Sequence, residues 1–284
     1  MLTRSAMSTS TRPTKAIVIA AGQGRRLRPY TEHMPKCMVP VGDRPLLRRQ
    51  LDAFRAHGVR EFAIIRGYLG HVMEARRAEL GPGDVRFVDN AGYQTNNILQ
   101  SLFCAEHELD GPVLITYSDI IFTADVVATL LDAPGDIALV IDRDFAAIYE
   151  GRSEHPLEEA EVADLDAAGR VHRVGKRALP PAQAFGEFIG LLKLTAAGAA
   201  TLRAAWAELS TRYRDQPDAP FQRAARWQDA YLTDLLQHLI DAGQPLTPVT
   251  IRGQWREIDT VQDLERAQAL VRDQPAWRRD DATP

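Results

Sequence analysis

The chain has 284 residues, 45% of them hydrophobic, enough for a sizeable core and one elaborated domain. Its 34 Lys and Arg stand against 38 Asp and Glu, a net charge of −4, which argues against a polybasic surface for nucleic acid or anionic membrane. No apolar run approaches the ~18 residues of a membrane span, residues 1–14 lack the apolar core of a signal peptide, and Cys37 and Cys104 have no spacing that suggests a disulfide framework or a zinc site, which fits a reducing cytoplasm.

Residues 1–14, rich in Ser and Thr, read as a disordered tail. Ala16 to Ala20 is wholly apolar and enters a glycine turn, as a strand buried on both faces of a parallel sheet does. Leu46, Leu47, Gln50, Leu51 and Phe54 recur at helical spacing, His57-Gly58 ends the helix, and Phe62 to Ile65 supplies the next strand. A helical segment from Val72 to Leu80 stops at Gly81-Pro82-Gly83, before a short strand at Val85 to Val88. Asn96 or Asn97 can cap a helix through Glu108; Pro112 to Tyr117 is a strand ending at Ser118-Asp119; Thr123 caps a helix over Ala124 to Leu131; Ile137 to Ile141 is a strand.

The pattern changes over 142–185, where charge rises and a hairpin turns at Ala168-Gly169, the signature of an inserted β element or lid. Phe185 to Leu194 is strand again, Ala196 to Leu209 an alanine-rich helix, and Trp227, Tyr231, Leu235 and Leu239 form one stripe of a last amphipathic helix ending at Gly243. Residues 273–284 read as a second tail. This alternation predicts one layered α/β domain over 15–272.

Gly22-Gln23-Gly24 is followed closely by Arg25, Arg26, Arg28 and then Pro35-Lys36. Glycines let backbone N–H groups approach phosphate oxygens, and the cations neutralise charge, so the stretch reads as a triphosphate cradle. The third glycine of the dinucleotide fingerprint is replaced by Leu27, and no GxxxxGK[ST] loop occurs. Solvated arginines are the bland alternative; Pro35-Lys36 weighs against it, because a second set of donors suits a leaving pyrophosphate.

Asp119 follows a buried strand at the carboxyl edge of the sheet, where open α/β folds place ligands; a helix-capping aspartate is the plainer reading. Two-residue periodicity puts Trp255, Glu257 and Asp259 on one face of a strand and Ile258 on the other. Side-by-side carboxylates repel unless a cation lies between them, so Asp119, Glu257 and Asp259 are expected to hold Mg²⁺, against the alternative of an acidic strand edge. Glu187, Asp229, Trp227 and Trp255 are candidates to receive a cationic amine through carboxylate pairing and cation–π contact. Trp227 reads as core, and Arg152, Lys176 and Arg177 as solvated charges or as cover for an anionic acceptor.

Gly22 to Val41 matches GxGxRLxPxTxxxPKxMxPV, and the chain thereby resembles the nucleotidyltransferase superfamily that includes sugar-nucleotide pyrophosphorylases. Asn96-Asn97, Tyr117 to Ile120, Gly186 to Gly190, and Trp255 to Thr260 with Asp263 resemble its cytidylyltransferase branch, over roughly Lys15 to Arg272. The resemblance implies a Rossmann-like, mixed but mostly parallel sheet flanked by helices with a small β insertion. It implies Arg26 and Lys36 as the catalytic basic pair. Ala20, Ala21, Gly22, Gln23, Gly24, Arg25, Asn97 and Ser118 would lie against the nucleotide, and Asp119, Glu257 and Asp259 would bind Mg²⁺. Ser118 departs from the glycine of many relatives. The implied reaction is transfer of CMP from CTP to a small phosphonate, or to an aminoalkyl phosphate such as phosphocholine, with release of pyrophosphate. A sugar-1-phosphate nucleotidyltransferase and a non-catalytic nucleotide-binding regulatory module are the alternatives, and a homodimer rests on family analogy alone.

Overall fold

The computed structural model describes residues 12–277. The expected N-terminal tail falls on residues 1–11 outside that range except at its last three positions, and the end of the expected C-terminal tail, 278–284, also lies outside it.

Among the described residues a nine-stranded sheet organises the fold. Lys15–Ala20 lies at its centre, parallel to Glu61–Arg66 on one side and to Val113–Tyr117 on the other, and Asp84–Asp89 continues the parallel ladder. Both faces of the central strand are buried: Ala16, Val18 and Ala20 enter one apolar layer, Ile17 and Ile19 the opposite one. Helices Leu46–Arg55 and Ala124–Asp132 pack on the first side, and Ile98–Phe103, Ala196–Arg212 and Leu232–Asp241 on the second.

Beyond Val113–Tyr117 the ladder turns antiparallel through Gly186–Leu194. That strand pairs with Ile137–Asp142, which takes Thr247–Ile251 alongside it, and at its other end with Glu161–Leu165 of the charged insert. The insert hairpin, Glu161–Leu165 against Val171–Lys176, is thus continuous with the main sheet.

Several elements differ from the expectation. The helix after Asn97 spans only Ile98–Phe103, and Gly70–Ala75 gives way to a tighter turn at Arg77–Leu80. The last amphipathic stripe is cut short: Trp227 sits in a separate single turn and Tyr231 is the N-cap of Leu232–Asp241, because Asp234 accepts from the Tyr231 N–H and closes the helix start there. Trp227 nevertheless is core, packed among Trp206, Tyr213 and Phe221. A further helix, Val261–Asp273, begins with a Thr260/Asp263 capping box. Within the expected C-terminal tail, Pro275–Trp277 forms a turn, and Trp277 packs on a small cluster of Leu27, Val39, Val41, Ile121, Ile258 and Leu264. This cluster ties the 22–41 loop to the segments carrying Asp119 and Asp259.

Candidate active site

At the carboxyl ends of the parallel strands lies a cavity of about 310 Å³. Ala20, Ala21, Gly22, Gly24, Arg25, Arg26, Lys36, Asn97, Ser118, Asp119 and Asp259 all line it, so most of the nucleotide and catalytic candidates share one cavity. A Cβ added at Gly22 would meet nothing within 4 Å, leaving its backbone open to a ligand. Gly24 is left-handed, φ 57°, with Lys36 Cβ 2.9 Å from the place a Cβ would take, so this turn lets Lys36 pass beneath the loop. Thr31 closes the loop by donating to the Gly24 carbonyl at 2.8 Å, and Leu27, Met38 and Val41 anchor it in apolar packing. The motif therefore divides into residues that face the cavity and residues that pack.

Lys36 is buried between two carboxylates: its Nζ donates to Asp119 at 3.0 Å and also to Asp259. Burial opposes its charge, but Asp119 and Asp259 outweigh that and raise its pKa. Arg26 donates to the other oxygen of Asp259 from the half-exposed mouth. Burial works against the Asp259 carboxylate, yet Lys36, His155 and Arg26 hold it well below the usual range.

The fold positions both acidic residues by buried contacts. Gln50 donates to the carbonyls of Tyr117 and Ile120, at 2.7 and 2.6 Å, gripping both sides of Ser118-Asp119. Strand Trp255–Glu257 pairs antiparallel with Ile120–Phe122, and the Ile258 N–H donates to the Asp119 carbonyl at 2.8 Å, so the two acidic segments are joined directly. Asp263 accepts from the N–H groups of Asp259 and Thr260 and binds buried Arg152 at 2.8 Å.

Glu257 does not line the cavity but stays close to Asp259. It binds Arg152 at 3.2 Å and lies 3.6 Å from His155 Nε2, while His155 Nδ1 lies 3.2 Å from Asp259. His155, Glu257 and Asp259 offer donor atoms within 4.8 Å of one another. Burial and the Asp259 charge push the Glu257 carboxyl up to about 7. Asp119 and Asp259 instead face the cavity and converge on one ammonium, an all-oxygen pair suited to Mg²⁺ together with phosphate oxygens and water.

The acceptor candidates do not gather at one place. Trp255 is buried and donates its indole N–H to Asp142 at 2.8 Å, since a ring on a short strand under the sheet is needed as core. Asp229 pairs with Arg226 at 2.6 Å, and its backbone carbonyl, not its carboxylate, meets the cavity residue Asn97. Glu187 is buried and accepts from the Tyr149 hydroxyl at 2.8 Å; burial and then Glu257 raise its pKa well above the ordinary value. None of the three lines the cavity. Gln23 accepts from Arg25 at 3.0 Å and also stays off it. Cys37 is a packed thiol, pushed up to about 12 by burial.

Sequence reasoning missed His155, Gln50, Tyr93 and Ser101, and it read Arg152 as a solvated charge or as cover for an anionic acceptor, not as a buried partner of Glu257 and Asp263. Tyr93 and Ser101 line the cavity, with Asn90 binding both Ser101 and Asn96 behind them. No spacing signal links these positions to the glycine loop; the high charge of the insert was the one available hint for Arg152 and His155.

The MobA-like NTP transferase domain matches residues 16–276. The CTP:phosphoglutamine cytidylyltransferase of Campylobacter jejuni is 30% identical over 257 residues, covering 88% of this chain and 97% of that protein. The choline-phosphate cytidylyltransferase of Streptococcus pneumoniae is 36% identical over 108 residues, 38% of this chain and 46% of that protein. Among solved structures, the inositol-1-phosphate CTP transferase of T. maritima has the same fold, with a TM-score of 0.70 and 17% identity over 92% of this chain and 98% of that one. With the cavity, the paired cations and the two joined acidic segments in place, the chain belongs to the MobA-like NTP transferase domain family and is a nucleotidyltransferase of its cytidylyltransferase branch.

Proposed function

We propose that the enzyme transfers CMP from CTP to a phosphoryl or phosphonyl oxygen of a small nitrogen-bearing acceptor, with Mg²⁺ and with release of pyrophosphate. The observation that carries this reading is the convergence of Arg26, Lys36, Asp119 and Asp259 in a cavity that Ala20 to Gly22 and Asn97 also line. The names of these two relatives, phosphoglutamine and choline-phosphate, pair a phosphoryl group with a nitrogen function, which supports that acceptor class.

The acceptor oxygen forms a bond to the α-phosphorus as the bond to the β-phosphate oxygen breaks in line. Lys36 is placed to neutralise charge on the α-phosphate and Arg26 on the departing pyrophosphate. Asp119 and Asp259 would hold Mg²⁺, whose contribution is charge neutralisation and alignment of phosphate oxygens. A phosphate monoester loses its second proton near pH ~6, so no general base is required.

Pyrophosphate release is measured across CTP, UTP, dTTP and GTP with phosphocholine, 2-aminoethylphosphonate, phosphoglutamine and glucose-1-phosphate, with and without EDTA. Turnover with CTP and a nitrogen-bearing acceptor, abolished by EDTA and restored by Mg²⁺, is expected. Turnover confined to a sugar phosphate with UTP or dTTP would replace this reading with the sugar-nucleotide one, and nucleotide binding without turnover would leave a regulatory module.

A further inference from the structure

Gln50 interrupts an otherwise apolar face of helix Leu46–Arg55: Leu46, Leu47, Leu51 and Phe54 around it are fully buried, and so is Gln50 itself. A primary amide in such a place costs free energy unless its hydrogen bonds are made. Its Nε2 makes two, donating to the Tyr117 carbonyl at 2.7 Å and the Ile120 carbonyl at 2.6 Å, while its Oε1 is buried with no hydrogen-bond partner among the described residues. Two bonds made and one acceptor orphaned come close to cancelling, so the side chain adds little to stability. What it fixes is a turn.

Tyr117 ends strand Val113–Tyr117 and Ile120 begins strand Ile120–Phe122, so the two carbonyls bracket Ser118-Asp119 and are held by the two protons of one nitrogen. The Asp119 carbonyl between them accepts from the Ile258 N–H at 2.8 Å. The same helix also anchors the segment of Lys36. At its start the Leu46 N–H donates to the Val39 carbonyl at 3.0 Å, one residue beyond the turn Lys36–Met38. Lys36 and Asp119, 83 residues apart in the chain, therefore meet at 3.0 Å with one helix as their common frame, and Gln50 is the side chain that joins the Asp119 turn to it.

We infer that Gln50, which does not line the cavity, is a positioning residue for nucleotidyl transfer: it holds the Asp119 turn against the helix so that the carboxylate stands where it meets both Lys36 and a phosphate-bound Mg²⁺. The inference rests on the reading of Asp119 as a Mg²⁺ ligand and adds the part that aims it.

The test compares the wild type with Gln50→Met, Gln50→Asn and Asp119→Asn. Gln50→Met keeps the length of the side chain and removes both donors together with the orphaned acceptor, and the Tyr117 carbonyl keeps the Thr116 hydroxyl at 3.0 Å. Gln50→Asn keeps the amide but withdraws it by one methylene, and reads the same effect should the first variant not fold. Pyrophosphate release from CTP gives kcat, and Mn²⁺ titrated into the enzyme with CTP, followed by water-proton relaxation, gives a metal dissociation constant that does not depend on turnover. Each Gln50 variant is expected to lower kcat and to raise the Mn²⁺ dissociation constant by about tenfold or more, the scale of a carboxylate displaced by a fraction of an ångström, with little change in Tm. A Gln50 variant that melts lower but keeps kcat and the Mn²⁺ constant would assign the residue to the core and overturn the positioning role. Asp119→Asn separates the two readings. Loss of Mn²⁺ binding and turnover there, with both retained in the Gln50 variants, removes the positioning role alone, whereas wild-type behaviour of Asp119→Asn removes the metal reading of the site as well.

Discussion

Gly190 lies directly beneath the ring of Tyr117: a Cβ on Gly190 would stand 2.3 Å from Tyr117 Cδ2. The glycine has φ 79° and sits where the register of Gly186–Leu194 slips against Ile137–Asp142, so the strand bulges to make room for an aromatic ring that lines the cavity at the strand ends. Gly190→Ala meets two costs, the left-handed backbone and the overlap, each on the order of 1–2 kcal/mol. The expected result is a lower urea midpoint together with a loss of turnover of about tenfold, because the ring must move toward the cavity. A variant with unchanged midpoint and activity would show that Tyr117 is free to shift.

Lys36→Ala and Asp119→Ala are each expected to reduce turnover by about a hundredfold or more, as removal of a charge-stabilising group does. Circular dichroism and thermal melting separate this from unfolding, which concerns Lys36 more, since its loss leaves Asp259 buried with Arg26 and His155 as its remaining partners. Near-normal rates in a folded variant would exclude that side chain from the chemistry.

Arg152 is fully buried and holds Glu257 and Asp263. Arg152→Met keeps the volume and strands two carboxylates, so a loss of about 3 kcal/mol is expected, the scale of breaking a buried ion pair from one side. Chemical denaturation measures it. A loss under about 1 kcal/mol would mean that His155 and the helix cap suffice for these two groups.

Two carboxylates give pH effects of opposite sign. Glu108, bonded to Arg86 and to Lys15, is held down to about 2, so its stabilisation is complete above its unfolded pKa near ~4.5 and is lost as pH falls toward 2. Glu161 is pushed up to about 7 by burial, partly offset by Lys176 and the Tyr117 hydroxyl, so the stability it contributes in its protonated form is complete below ~4.5 and lost as pH rises through 7. Glu108→Gln is therefore expected to lower Tm at pH 7 and to approach the wild type near pH 2.5, whereas Glu161→Gln gains on the wild type between pH 5 and pH 8. Tm differences that stay flat over these windows would contradict the assignments.

The sequence alone carries the glycine loop and the strand ends that line the cavity. The run from Gly22 to Lys36 carries its own instructions: a left-handed glycine at 24, cations at fixed short spacing, and apolar anchors between them, all local properties that a linear pattern can express. The buried strand before Asp119 was equally clear, because an apolar run that ends in polar residues marks the carboxyl edge of a parallel sheet. Acceptor recognition was not legible. Glu187, Asp229 and Trp255 were chosen for their chemistry, and each is occupied elsewhere by a partner distant in sequence or by local pairing: Tyr149, Arg226 and Asp142 respectively.

The sequence by itself thus determined the glycine-loop side of the cavity, since that side is built from neighbours along one loop and from the ends of strands whose burial is written in their composition. Only the tertiary structure decided how the carboxylates divide. Asp119 and Asp259 meet at Lys36 because Ile120–Phe122 and Trp255–Glu257 pair across more than a hundred residues, while Glu257 stays within reach of Asp259 and pairs with Arg152 beside His155. Pairing over such separation is set by which apolar faces must be buried together, and no local spacing encodes it.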